Sequence, residues 1–207
     1  MILMLMAAAA AAPAMMPVND TAVGWQIGRR NAPRTLVEYG AMNCTHCADF
    51  SKLGGPAVMA AVRAGRVRFE FRPYQIFPHD VPATLIARCV PVTRRFQFVD
   101  AYYQATRGFT AKLQAADQAA LNATGSQSDA ALNRLLVQVT GMKPLAARFG
   151  LTGAAVDRCV SDARGLAWVN QAYEKAKAAG VTGTPTFLLD GERVQFTSFD
   201  DVAAKLK

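Results

Sequence analysis

The chain has 207 residues, 52% of them hydrophobic and 18% charged, with a formal net charge of +8. That composition can bury a sizeable core in one domain with an insertion, which excludes a disordered chain, and only four cysteines exclude a small disulfide-dense scaffold. Lys and Arg are dispersed, and neither Arg29-Arg30 nor the interleaved run from Arg66 to Arg72 is long enough for a nucleic-acid footprint, so no nucleic-acid partner is expected.

Met1 to Met16 contain no charged side chain; Ile-Leu-Met-Leu-Met leads into an alanine run, and Ala12-Pro13-Ala14 is a small-residue cleavage pattern. Residues 1–16 are therefore expected to be a secretory signal peptide cut near Ala14, although the usual basic start is missing. A retained N-terminal anchor is the alternative, on an apolar run too short to span a bilayer comfortably. Either reading puts the rest of the chain in a periplasmic or otherwise exported location.

Val23 to Ile27 and Thr35 to Tyr39 read as strands. Thr45 through Ala64 reads as a helix that Gly54-Gly55-Pro56 must kink or break, and Arg66 to Ile76 as a strand with alternating Val67, Phe69 and Phe71. This makes a β-α-β unit. From Ala83 to about Ala179 no convincing strand occurs, whereas apolar residues recur at helical spacing in Phe96 to Tyr103, Asp129 to Val139 and Val156 to Tyr173. Strands return at Thr186 to Leu189 and Arg193 to Phe196 around the Asp190-Gly191 turn, followed by a helix from Phe199. The expected organisation is an α/β domain over 23–207, in halves 23–77 and 181–207, interrupted by an all-helical insertion at 78–180.

Cys44-Thr45-His46-Cys47 lies where the second strand feeds the first helix, which makes the C-x-x-C pair a redox candidate. A cysteine in the first turn of a helix meets unpaired backbone N–H groups and the positive end of the helix dipole, and both favour thiolate over thiol. Cys44 is thus the expected nucleophile. Cys47, three residues on along the same helical face, can close a small disulfide ring or resolve a mixed disulfide. His46 can give Cys44 an N–H or a positive charge, stabilising the dithiol and making the disulfide more oxidising. Far downstream, Gly183-Thr184-Pro185-Thr186 sets a proline at the mouth of an apolar strand, where a cis peptide bond is expected.

The competing reading of C-x-x-C is half of a zinc site. A structural site needs four ligands in recognisable pairs, and His46, His79, Cys89 and Cys159 are scattered, so no metal is expected. Cys89 and Cys159 either meet in a disulfide, closing a loop of about 70 residues, or stay two separate thiols packed as small hydrophobes. In Phe77-Pro78-His79-Asp80 the histidine follows a strand near the expected rim of the site, yet Asp80 as a helix N-cap explains the segment without chemistry. Tyr102-Tyr103, Trp168 and Tyr173 fall at helical spacing and are expected in the core.

Ile27-Gly28, Asn31-Ala32-Pro33, Leu36-Val37-Glu38-Tyr39, the C-x-H-C, Phe50 and the late Gly180-Val181-Thr182-Gly183-Thr184-Pro185-Thr186-Phe187 resemble the DsbA-like thiol:disulfide oxidoreductases of the thioredoxin-like superfamily. The likeness runs through nearly the whole chain after the leader. It implies a thioredoxin-like fold with the helical insertion over the redox centre, walling a groove for extended polypeptide. It also implies that Cys44 and Cys47 are the redox pair, that His46 lowers the nucleophile's pKa, and that Thr184 and Pro185 contact bound peptide. Glu38 matches the position of a buried acid that assists proton transfer at the resolving cysteine; the alternative for Glu38 is a surface residue on an edge strand. Some members carry an extra disulfide in the helical region, as Cys89 and Cys159 would. Thr45 departs from the proline that many members carry between the cysteines, which leaves the strength of oxidation open.

The leading expectation is a dithiol oxidase acting on newly exported cysteine-containing polypeptides, needing no cofactor and reoxidised, by the same resemblance, by a DsbB-like quinone-linked membrane protein. An exported reductase or isomerase is the alternative within the same chemistry, although the short stretch before the first strand counts against an N-terminal dimerisation domain of the DsbC or DsbG kind. A non-catalytic peptide-binding or zinc-binding module is the alternative from another class.

Overall fold

The computed structural model describes residues 16–125 and 128–207. Six strands form one sheet: β1 (Val18–Asp20), β2 (Trp25–Ile27), β3 (Arg34–Gly40), β4 (Val67–Pro73), β5 (Thr186–Leu189) and β6 (Glu192–Val194), in spatial order β1-β2-β4-β3-β5-β6. Only β3 and β4 run parallel; the other neighbours are antiparallel. A parallel pair needs a crossover, supplied here by α1 (Thr45–Leu53) and α2 (Gly55–Arg63). Gly54 separates the two helices and Pro56 opens the second, which is the break expected of Gly54-Gly55-Pro56.

Alternation along β3 assigns its side chains. Leu36 joins Phe69, Phe187, Phe50, Val58 and Val62 in one core, closed off by Val202 and Leu206 at the C-terminal helix α10 (Phe199–Lys205). Val37 and Tyr39, on the other face, pack with Tyr74, Ala176 and Val181. Glu38 shares the parity of Leu36 and stands in register with Phe71 on β4 and Phe187 on β5.

Between β4 and β5 the chain is helical: α3 (Asp80–Cys89), a 3-10 turn (Val92–Arg94), α4 (Arg95–Gln114), α5 (Gln118–Gly125), α6 (Asp129–Thr140), α7 (Lys143–Ala147), α8 (Gly153–Val160) and α9 (Ala163–Ala178). No strand interrupts them among the described residues. Phe98, Tyr102, Val137 and Met142 anchor a second core that is continuous with Trp25, Cys44 and Cys47. Helix α1 therefore belongs to both cores, sending Phe50 into the one under the sheet and Cys47 into the helical one.

Several boundaries differ from the sequence-based expectation. β1 was not foreseen, because Val-Asn-Asp reads as loop composition. β2 begins at Trp25 rather than Val23: Thr21 donates its N–H to the Gly24 carbonyl at 2.9 Å, and Gly24 lies against the Phe71 carbonyl where an added Cβ would sit 2.1 Å away. β4 stops at Pro73, which has no N–H for the ladder. The expected strand from Arg193 to Phe196 is shifted to Glu192–Val194, freeing Phe196 to pack on Phe187 at 5.0 Å. The helical spacing from Val156 to Tyr173 covers two helices, because Asp162 turns back to cap α9, accepting the N–H groups of Arg164 and Gly165. The expected leader, residues 1–16, lies outside the described residues except for Met16. No helix among the described residues is long and apolar enough to cross a membrane.

Candidate active site

Strand β3 delivers the chain to Ala41, Met42 and Asn43, all buried, and the helix begins immediately after. Cys44 is the N-cap of α1 and not a residue of its first turn, a correction of one position. Its backbone is extended (φ −80°, ψ 118°), and Sγ takes the place of a capping oxygen, accepting the Cys47 N–H at 3.3 Å. Cys44 is 6% exposed and Cys47 fully buried, both as free thiols.

This seat drives the two sulfurs apart in acidity. Cys44 is lowered from 9.0 to about 6: the Cys47 thiol facing it contributes most, burial opposes, and Thr184 and the backbone N–H groups of Cys47 and His46 add to the stabilisation. Cys47 is pushed well above 9.0, by burial first and then by the Cys44 sulfur and the Glu38 charge. As a thiol, Cys44 donates to the Thr184 carbonyl at 3.4 Å. The Thr184 hydroxyl is buried without a hydrogen-bond partner and favours the thiolate at either cysteine. The Thr184–Pro185 peptide bond is cis.

His46 is exposed; its backbone N–H contributes to lowering Cys44, and its imidazole lies in the wall of an open groove. That groove, about 520 Å³, runs from His46 and Asp49 past Pro185 and Phe187 to Phe196 and Phe199. Phe199 is 41% exposed, giving the far end an apolar surface.

Glu38 is 4% exposed and lies on a central strand, which removes the edge-strand alternative. Its Oε1 has no hydrogen-bond partner, and burial, then the charges of Cys44 and Asp100, raise its pKa from 4.5 to about 8. The acid is thus held mainly protonated at neutral pH beneath the cysteine pair. Gly40 keeps the space open, since a Cβ there would come within 2.5 Å of the Phe71 ring and 3.1 Å of Glu38 Oε1.

Two residues that sequence reasoning missed hold the nucleophile's approach. Asp80, fully buried, accepts the backbone N–H of Asn43 at 2.8 Å and its side-chain amide at 2.9 Å through Oδ1, and the N–H groups of Ile76 and Phe77 through Oδ2. Asn43 in turn accepts from the Tyr102 and Thr106 hydroxyls. The expectation that Asp80 caps its helix needs correction: it is the first residue of α3, the cap position is His79, and no side chain caps there. His79 is buried with neither ring nitrogen hydrogen-bonded, and burial lowers its pKa. The hint for Asp80 was available in Phe77-Pro78-His79-Asp80, but its partner 37 residues upstream was not.

Cys89 and Cys159 are bonded to each other, joining the end of α3 to α8 across 70 residues. The zinc alternative thereby loses two of the four candidates that could complete a site with Cys44 and Cys47, and no group of three or more His, Cys, Asp or Glu that could hold a metal occurs among the described residues.

A family profile described as Thioredoxin matches residues 20–207. Among solved structures, a protein-disulfide isomerase from Novosphingobium aromaticivorans superposes with a TM-score of 0.79 at 24% identity, over 87% of this chain and 96% of that one. Wolbachia pipientis alpha-DsbA1 gives a TM-score of 0.64 at 18% identity, over 86% of this chain and 80% of its own. Oxidised BdbD from Bacillus subtilis gives 0.63 at 16% identity, over 89% and 91%. No curated protein matches the chain. A profile match through both cores, with DsbA-type structures sharing the fold, shows that the chain belongs to the thioredoxin family.

Proposed function

We propose that this protein is a thiol:disulfide oxidoreductase that introduces disulfides into exported polypeptides. The observation that supports it best is the seat of Cys44: a sulfur at a helix start, receiving backbone N–H and facing a cis-proline loop, with a resolving thiol buried behind it and an open groove lined by its neighbours His46 and Pro185. A nucleophile stabilised as thiolate stabilises the reduced pair, and a stable reduced pair makes the disulfide a strong oxidant.

In the oxidised enzyme a substrate thiolate attacks Cys44, the Cys44–Cys47 bond breaks, and Cys47 leaves with the electron pair and takes a proton from Glu38. A second substrate thiolate then attacks the substrate sulfur of the mixed disulfide. Cys44 departs as a thiolate, which its surroundings favour, and the substrate is left oxidised. The two electrons now on the enzyme pass to an acceptor, on this reading a DsbB-like quinone-linked membrane protein. Extended chain lies along the groove from His46 to Phe199, with Thr184 and Pro185 beside the reacting sulfurs. The groove's apolar wall selects an exposed unfolded segment rather than one sequence.

Export is supported by the apolar leader of residues 1–16 and by the Cys89–Cys159 bond, which an oxidising compartment sustains. Isomerase activity is a second reading, favoured by the similarity to the Novosphingobium protein-disulfide isomerase. The equilibrium reduction potential of the Cys44–Cys47 pair in glutathione buffers decides the direction, with Cys89→Ala/Cys159→Ala protein as the control. A value near about −120 mV marks a disulfide donor, and one near about −270 mV an exported reductase. Recovery of activity from a scrambled-disulfide substrate by the reduced enzyme would favour isomerisation.

A further inference from the structure

A cavity of about 340 Å³ is lined by buried Glu38 of β3, by Ser51 of α1 and by Asp100 and Tyr103 of α4. A second, outer groove of about 690 Å³ is also lined by Ser51, Asp100 and Tyr103 and continues past Asp49, Gln104 and Arg107. The two spaces share those three residues as a common wall. We propose that this wall is the proton route between Glu38 and solvent, with Tyr103 as the inner relay and Asp100 as the group that exchanges protons with water.

Three observations carry this. Glu38 Oε1 and the Tyr103 hydroxyl are both buried, both line the inner cavity, and neither has a hydrogen-bond partner. A polar-ended cavity of that size can hold several waters, each bonding the otherwise unpaired groups. Asp100 is exposed, and its carboxylate is held in place by the Ser51 hydroxyl at 2.7 Å. The other titratable and charged groups around the route are the Cys44 and Cys47 thiols, Asp80 on α3, Asp49 and Lys52 on α1, Arg63 on α2 and Arg107 on α4, the last paired with Asp49 at 3.8 Å. Glu38 is flanked across the sheet by Phe71 and Phe187, which carry no proton-transferring group.

The inference rests on the reading of Glu38 as the proton partner of Cys47. When the enzyme is reoxidised, the proton on Glu38 passes through the Tyr103 hydroxyl to Asp100 and to water. The Glu38 carboxylate then takes the Cys47 proton, the Cys47 thiolate attacks Cys44, and the bond from Cys44 to its partner breaks with the electron pair leaving on the partner sulfur. No electron moves along the route.

The test is the release of glutathione from a Cys44–glutathione mixed disulfide in the full chain, measured for wild type, Asp100→Asn, Tyr103→Phe and Glu38→Gln. Asp100→Asn and Tyr103→Phe are expected to be about tenfold slower than wild type at pH 7. Both converge with wild type above pH 9, where Glu38, at about 8, is already ionised, and added imidazole buffer restores Asp100→Asn. Loss of the Asp100 charge alone would ease Glu38 ionisation and speed the reaction, so an unchanged or faster rate at pH 7 overturns the route. A slow Asp100→Asn enzyme that ignores buffer and stays slow above pH 9 also overturns it, as a structural defect. Glutathione release by Glu38→Gln at the wild-type rate overturns the underlying role of Glu38, whereas a slow Glu38→Gln with a fast Asp100→Asn overturns the route alone.

Discussion

Asp80 holds Asn43, the residue before the nucleophile, through both of its nitrogens, from the first turn of a helix that starts 36 residues after Cys44. The helical part of the chain thus fixes the path by which β3 enters the redox helix. Both Oδ atoms of Asp80 are occupied by N–H donors, four in all, with the Asn43 pair fully buried and the Ile76 and Phe77 pair partly so.

Asp80→Ala leaves those four donors unpaired, which costs about 3 to 5 kcal/mol in unfolding free energy. Asp80→Asn keeps the shape and one acceptor oxygen, so its loss is smaller. Urea unfolding of the reduced proteins ranks them, and alkylation of Cys44 tests the coupling to the site. The Ala variant is expected to react more slowly at pH 7, because Asn43 no longer sets the Cys44 backbone. Wild-type alkylation in a destabilised protein would show that Asp80 serves the fold alone.

The Cys44 thiolate should appear with a midpoint of about 6 by ultraviolet absorbance, leaving about nine tenths of it ionised at pH 7. Thr184→Val removes the hydroxyl that favours the charged form and moves the midpoint up. Because this group is depressed in the fold, it stabilises the reduced protein fully only above pH 9, and that contribution is lost as pH falls through about 6. Stability of the reduced protein measured against pH should therefore show a gain over this window that Cys44→Ser abolishes.

Much of this site was legible in the sequence because its parts are local. A strand running into C-x-x-C and a proline at a second strand's mouth place Cys44, Cys47, Thr184 and Pro185 without knowledge of the rest of the fold. Glu38 was recoverable by spacing, but its burial depended on β3 being central, and no single strand states its neighbours. Asn43 and Asp80 were not recoverable, since a hydrogen bond across 37 residues leaves no periodic trace. His46 lies in the motif with its side chain exposed, and its backbone N–H adds to the stabilisation of the Cys44 thiolate. The helical segment read correctly as helical, and its breaks went unseen where a single side chain, Asp162, sets a new helix start.

Glu38→Gln should make the reduced protein more stable at pH 7 to 8 and leave it unchanged near pH 4. An acid raised from 4.5 to about 8 favours the fold fully only below 4.5, and that advantage is lost progressively as pH rises to about 8. The amide has no charge to desolvate, so its stability is flat over this window, and the gap at pH 7 is a few kcal/mol. The same variant slows exchange at Cys47, giving a protein that is more stable and less active. Equal pH profiles for the two proteins would place the ionised Glu38 in a solvated setting instead.

The Cys89–Cys159 bond should contribute stability without touching the redox chemistry. It closes a loop of 70 residues, for which chain entropy gives about 4 kcal/mol. Cys89→Ala/Cys159→Ala protein is therefore expected to melt about 10 °C lower. Cys89 lies at the far end of α3 from Asp80, roughly 14 Å along the axis, and the two ends of that helix are joined by buried Ala83, Leu85 and Ile86. A rigid helix between them keeps the Asn43 contact when the bond is removed, so the Cys44 midpoint stays at about 6 in the double variant. A shifted midpoint would mean that the second disulfide reports its state to the first through α3.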